Sequence, residues 1–280
     1  MADNDYYEAI KHWRATLDDS LRNENSWLAL AGLIWLELGS TPFGADENLA
    51  IVLKIQELAA IAGEFVRDDA GVELIVHHGS DVRIDGKHLD RVRLNPDASG
   101  SPQMVTVGPY SMMLIERGDR LGIRLWDNGR AARRSFSGRV WYPVDPAYCL
   151  KARFFAHDPP KTMVIPNELG ETESVPSPGS VEFDLGETTY RLDALEGPEG
   201  GLFLLVKDGT SGDETYGSGR FLVTPSPDQA EVTLDFNRAY NPPCAFTPYA
   251  TCPLPPEQND LPVAIRAGEK RPQPTSSDVS

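Results

Sequence analysis

The residues best equipped for chemistry gather between positions 235 and 270, in DFNRAYNPPCAFTPYATCPLPPEQNDLPVAIRAGEK. In EVTLDFN, Val232, Leu234 and Phe236 alternate with Thr233, Asp235 and Asn237. Strand periodicity therefore predicts one polar face carrying Asp235 beside Asn237, with Arg238 at the strand's end. Carboxylates so placed can take a proton, and a nearby guanidinium or ammonium can stabilise developing negative charge. Asp235 and Glu269 are the candidate general bases. Cys244 and Cys252 enclose seven residues and are weak candidates for a metal or thiol site. Zinc would require two further ligands, and none is spaced locally to help. The competing reading is a pair of small buried hydrophobes. Seven prolines punctuate the same run, and Asn241 precedes PPC, where the residue before proline is held extended. A segment stiffened in this way can be ordered over a surface without secondary structure of its own.

Other candidates are weaker. His77 and His78 are adjacent, and neighbouring side chains of a strand point to opposite faces, so the two scarcely reach one ion. Neither HExxH nor CxxC occurs. Cys149 falls on the strand face of Lys151 and Arg153, where a lone thiol is structural unless its pKa is depressed. The loop KDGTSGDETYGSGR, residues 207–220, is polar and glycine-rich between apolar strands, yet it matches neither the phosphate-cradle nor the calcium-loop spacing. It reads as a long hairpin loop.

These groups must be positioned by β structure. From about residue 50 the chain runs in short apolar-alternating stretches separated by Gly, Asp, Asn and Pro clusters, including GVELIVHH, SMMLIERG and LGIRLWD, with RGDR as a hairpin turn. RVWYPV is expected as another strand, and IQELAAIAGE is the one interval where a helix competes. Tyr6, Ile10, Trp13, Leu17 and Leu21 recur at three- and four-residue spacing and predict an amphipathic helix that docks on the main body. The expected fold is mainly β, an antiparallel β-sandwich or split barrel in two β lobes with an N-terminal amphipathic helix. The expected division is 1–40 helical segment, 41–130 first lobe, 131–270 second lobe with its proline-rich arm, and 271–280 a disordered tail.

Composition narrows the partners. The 280 residues hold 26 Lys plus Arg against 42 Asp plus Glu, a net charge of −16 that repels phosphate backbones, so nucleic acid is not expected. The acidic start MADNDYYEAIKHW has no secretory apolar core, and no apolar run approaches the ~20 residues of a membrane helix. The chain reads as soluble and cytoplasmic, with three reduced thiols rather than a disulfide scaffold.

The combination of DGTSGDETYGSGRFL, DFNRAYNPPCAFTPYATCPLPP and NDLPVAIRAGEK resembles an uncharacterised bacterial and archaeal family, a domain of unknown function. The likeness runs over most of the chain, from Trp13 and Arg14 to Glu269 and Lys270. It implies no activity or cofactor. Falling in its signature are Tyr216, Arg220, Asp235, Asn237, Arg238, Asn241, Cys244, Cys252 and Lys270. Three readings follow. The signature lines a pocket for a small polar or anionic ligand, held by Tyr216, Arg220, Asp235, Asn237, Arg238, Asn241 and Lys270. Alternatively it is a packing clasp that ties the arm across the second lobe in a scaffold module. The third reading is an enzyme, either with a flavin-type cofactor, an argument from architecture alone, or with a metal site at Cys244 and Cys252. Side chains converging on a cavity would favour the first, and side chains paired off beneath the arm the second.

Overall fold

The computed structural model describes residues 2–272; most of the tail expected to be disordered, from residue 273 on, lies outside the described residues. The chain divides into two compact units, one formed by residues up to Ser20 together with those from Ser137 onward, the other by Leu21–Phe136.

In the Leu21–Phe136 unit the strands are β1 Leu30–Trp35, β2 Gly39–Gly44, β3 Ile51–Val52, β4 Gly63–Asp68, β5 Gly71–Val76, β6 Arg83–Ile84, β7 Arg91–Leu94, β8 Val105–Val107, β9 Tyr110–Arg117 and β10 Arg120–Asp127. They make two five-stranded sheets, ordered β1-β10-β9-β8-β6 and β3-β2-β4-β5-β7. All pairs are antiparallel except β2 with β3. The expected hairpin at RGDR joins β9 to β10, with Arg117 opposite Arg120. Alternation in β4 and β5 turns Phe65, Val72 and Leu74 inward. They meet Phe43, Val105, Met112 and Ile123 in one core drawn from both sheets, as a sandwich requires. IQELAAIAGE forms turns and the start of β4 rather than a helix, and Glu57, at φ 69, lies in the left-handed region that a helix does not admit.

The other unit holds β11 Cys149–Pro166, β12 Thr172–Leu185, β13 Thr188–Glu196, β14 Leu202–Val206, β15 Arg220–Val223 and β16 Glu231–Asp235. These form one antiparallel sheet in the order β15-β14-β13-β12-β11-β16. Its buried face presents Val181, Phe183, Leu192, Leu204, Leu222 and Leu234, on which Ile265 and Ala267 of the proline-rich arm also lie. At about 1.5–3 kcal/mol for each large side chain removed from water, this layer supplies the drive that holds the arm down. The arm itself, from Ala239 to Lys270, carries short 3-10 turns and isolated bridges but no strand. RVWYPV is not a strand: only Trp141 bridges, to Glu269.

Helix α1, Ala2–Arg22, has the expected stripe: Ile10 is fully buried, and Tyr6, Trp13 and Leu17 are half-buried. Trp13 stacks edge-on to Trp141 and Tyr240 at 5.7 and 6.2 Å. Arg14 donates to the carbonyls of Tyr142 and Asn237 at 3.0 and 3.2 Å. The mainly β class with an N-terminal helix is therefore as the patterning implied. No helix among the described residues is long and apolar enough to cross a membrane.

Candidate functional site

Asp235 ends β16, opposite Cys149 in the register with β11. The strand does not continue through Asn237: Phe236–Arg238 turns as a 3-10 helix capped by Asp235. Alternation is thus broken at the position where it was expected to place Asn237, yet the two side chains still meet, because the tight turn folds Asn237 back. Asp235 Oδ1 accepts from the Tyr6 hydroxyl at 3.0 Å and from the Asn237 backbone N–H and side-chain Nδ2, both at 3.1 Å. Arg238 Nε lies 3.6 Å from Oδ2, and its guanidinium sits over the Trp13 ring at 5.4 Å. Asn237, fully buried, donates to Asp145 O at 2.8 Å and accepts from Asp145 N at 2.9 Å. Burial first, then Asp235, pushes the Tyr6 phenol up, and burial with the same carboxylate raises the Cys149 thiol. A proton on Tyr6 is therefore held toward Asp235.

Arg220 opens β15 and is only 2% exposed. Its Nη2 donates to Asp208 Oδ2 at 2.7 Å and to Ile265 O at 3.1 Å, while Nη1 donates to Ala267 O and, at 3.3 Å, to Glu269 O. Asp208 is equally committed: Oδ1 accepts from Thr210 N, Thr210 Oγ1 and Ile265 N at 2.9, 2.7 and 3.1 Å. The glycine-rich loop is therefore the support of a buried ion pair. Sequence reasoning missed Asp208. The signal available was local, an Asp two residues before Thr210 that forms a side-chain turn; its partner twelve positions on was not legible.

Glu269 is 1% exposed and pairs through Oε2 with Arg139 Nη1 at 2.7 Å, while the same oxygen accepts from Asn241 N, also at 2.7 Å. Asn241 Nδ2 donates to Lys270 O at 2.8 Å. Among the described residues neither Glu269 Oε1 nor Asn241 Oδ1, both buried, has a hydrogen-bond donor. Burial raises the Glu269 carboxyl despite Arg139 and the hydrogen bonds from Asn241. Lys270 Nζ stands over the Tyr142 ring at 4.5 Å. Burial and the 2.9 Å hydrogen bond to Glu214 push the Tyr142 phenol up to about 12. Arg139 and Tyr142 were also missed, because strand alternation in RVWYPV gives a side chain's face and not its distant partner.

Cys244 and Cys252 take no part in these hydrogen bonds. Cys252 is buried, Cys244 half-buried, and Cys244 N–H points at Cys252 Sγ at 3.1 Å. The Cys244 thiol also approaches Glu168 Oε1 at 3.5 Å, and Tyr216 hydrogen-bonds to Cys244. Among the described residues no group of three or more His, Cys, Asp or Glu is placed to hold a metal ion. His77 stands 3.7 Å from Glu64, and His78 is exposed. In the Leu21–Phe136 unit a cavity of about 600 Å³ is lined by Arg67, Asp68, Arg93, Asn95 and Glu116 among others, and by no signature residue. Arg93 there is already bidentate to Asp68 at 2.8 and 3.0 Å.

The model of a family described as "Protein of unknown function (DUF1684)" matches residues 134–270, a shorter span than the motifs suggested. A solution NMR structure of an uncharacterized protein of Haloarcula marismortui is similar at 33% identity, with 50% of this chain and 79% of that one covered, at a TM-score of 0.42. No curated protein matches the chain.

Proposed function

The chain belongs to this family of proteins of unknown function, and from that premise we propose that its C-terminal signature is a clasp. On this reading the arm is fastened across the six-stranded sheet, and the protein is a scaffold or interaction module with no reaction centre in the signature. One observation carries the reading: the Arg220 guanidinium is spent on Asp208 and on three carbonyls of the arm, at Ile265, Ala267 and Glu269. A group meant to hold an anionic ligand would keep donors facing an opening. Asp235 and Asn237 support the same conclusion, since their polar atoms meet one another, Tyr6 and Asp145.

The test is release of the arm. Removing one member of a buried ion pair leaves the other charge unpaired and costs about 3–5 kcal/mol. Arg220→Ala is expected to lose stability of that size in urea unfolding and to expose residues 239–270 to limited proteolysis before the sheet is cut. Arg220→Lys is expected to recover little, because an ammonium lacks the planar fork that serves one carboxylate and three carbonyls together. An Arg220→Ala protein whose arm stays as protected as the wild type's sinks the clasp.

A second reading has its own observation. The oxygens Glu269 Oε1 and Asn241 Oδ1 are buried without a donor, and they suit a small ligand that donates hydrogen bonds rather than an anion. Native mass spectrometry separates the two readings. The bare polypeptide mass accords with the clasp, and a small adduct lost in Asn241→Ala supports the ligand.

A further inference from the structure

The geometry points to Cys244 and Cys252 as a dithiol that closes to an intramolecular disulfide by exchange with a small-molecule disulfide. The proposal rests on how the arm holds the two sulfurs. Cys244 N–H donates to Cys252 Sγ at 3.1 Å, and the two thiols are themselves within hydrogen-bonding reach of each other. Cys252 is anchored from the other side, where its carbonyl accepts from Glu168 N at 3.1 Å and the next residue, Pro253, bridges to Asn167. Leu254 N donates to Pro166 O at 2.7 Å, so the chain from Cys252 onward is tied to the end of β11 and the turn that follows it. Pro242 and Pro243 stiffen the approach to Cys244. Two sulfurs held this close need only a small local movement to reach bonding distance, and their effective concentration is set by the arm rather than by diffusion.

The two cysteines have different parts. Cys244 is half-buried and is the sulfur that an external reagent can meet, whereas Cys252 is 5% exposed. In the first step Cys244 gives up its proton, and its sulfur attacks one sulfur of the reagent RSSR. The S–S bond of the reagent breaks, and RS⁻ leaves and takes up a proton as RSH. In the second step Cys252 loses its proton and attacks Cys244 Sγ, the mixed disulfide breaks, and a second RSH departs. Two cysteine S–H bonds are exchanged for one S–S bond, and the two-electron oxidation is balanced by reduction of RSSR to two RSH.

The surroundings set the rate. Hydrogen bonding to Cys252 and burial hold the Cys244 thiol well above the usual range, with Tyr216 opposing and Glu168 adding to the rise. The reactive thiolate is therefore scarce near neutral pH, and exchange accelerates as the solution becomes alkaline. Once Cys244 is in a disulfide it no longer serves as the hydrogen-bonding partner that, after burial, raises the Tyr216 phenol. Oxidation of the pair is thus coupled to the ionisation of Tyr216.

The experiment treats the folded full-length protein with oxidised glutathione and follows mass and peptide linkage. The expected product is a species lighter by about 2 Da with 244 joined to 252, since one disulfide replaces two thiols. Cys252→Ser is expected to stop at the glutathione adduct on Cys244, and Cys244→Ser to leave residue 252 unmodified. Absence of reaction, or a wild-type protein that accumulates glutathione adducts without the internal link, overturns the proposal. So does a Cys244→Ser protein modified at 252 as fast as the wild type is at 244. The second readout is the alkaline ultraviolet titration of tyrosine. In the oxidised wild type one phenol is expected to ionise nearer the ordinary tyrosine range, a change absent in Tyr216→Phe. Identical titrations of oxidised and reduced protein would also overturn it.

Discussion

Glu269 is a residue whose chemistry is distorted by its place in the fold. It sits 1% exposed beside Arg139, with Oε1 lacking a donor and its carboxyl raised by burial. A carboxyl raised in the folded state binds its proton more tightly there than in the unfolded chain. Its contribution to stability is therefore greatest at or below the ordinary carboxylate range and declines as pH rises through the raised value. Urea unfolding followed across mildly acidic to neutral pH is expected to show this decline in the wild type. Glu269→Gln, which keeps an acceptor for Arg139 and Asn241 N but cannot ionise, is expected to flatten it. Equal slopes in the two proteins would contradict the assignment. Arg139 belongs to the same unit of chemistry, with its guanidinium over the Phe246 ring at 4.7 Å and its backbone N–H donating to Asp18 at 3.1 Å.

At the scale of elements, the arm is held by fixed points rather than by secondary structure. Gly268 has φ +80, and a β-carbon there would come within 2.6 Å of Ala239 O and 2.7 Å of Phe236 O. Both the backbone region and the space demand glycine. Asn259, 1% exposed, is a second fixed point: it accepts from Asp193 N at 2.8 Å and donates to Asp193 O and Leu205 O, both at 2.9 Å, so it bridges β13 and β14. Its replacement strands buried backbone groups at about 1–3 kcal/mol each. Asn259→Ala and Gly268→Ala are each expected to lower the unfolding free energy by about 2–4 kcal/mol, from stranded groups in one case and backbone strain with a clash in the other. Hydrogen exchange checks the location. Protection is expected to fall first at Lys207 N and Leu261 N, whose partners are Asn259 O and Lys207 O, in Asn259→Ala, and at Glu269 N, bonded to Ala239 O, in Gly268→Ala.

The molecule as a whole carries a net charge of −16. Self-repulsion of that excess favours expansion, and added salt screens it, with the Debye length already down to about 8 Å at physiological ionic strength. The Tm is expected to rise with sodium chloride, most steeply at the low end. A Tm that falls or stays level across that range would mean that local ion pairs outweigh the net charge. Exposed pairs such as Arg93–Asp68 and Arg266–Glu214 are each worth little and weaken in salt, so they oppose the trend only slightly.

The amino-acid sequence by itself determined what depends on near neighbours. The Tyr6, Ile10 and Trp13 stripe of α1, the alternation that builds β5, β9 and β10, and the strand-free proline arm all arise from spacings of two to four residues or from ring constraints within one residue. The family likeness was equally legible, because its motifs are contiguous. Only the tertiary structure decided which polar side chains were already occupied. Tyr6 reaches Asp235 across 229 positions, Arg139 reaches Glu269 across 130, and Arg220 finds Asp208 across a hairpin. Periodicity tells which face a side chain takes but not what lies opposite it. For charged groups that difference separates a binding site from a clasp.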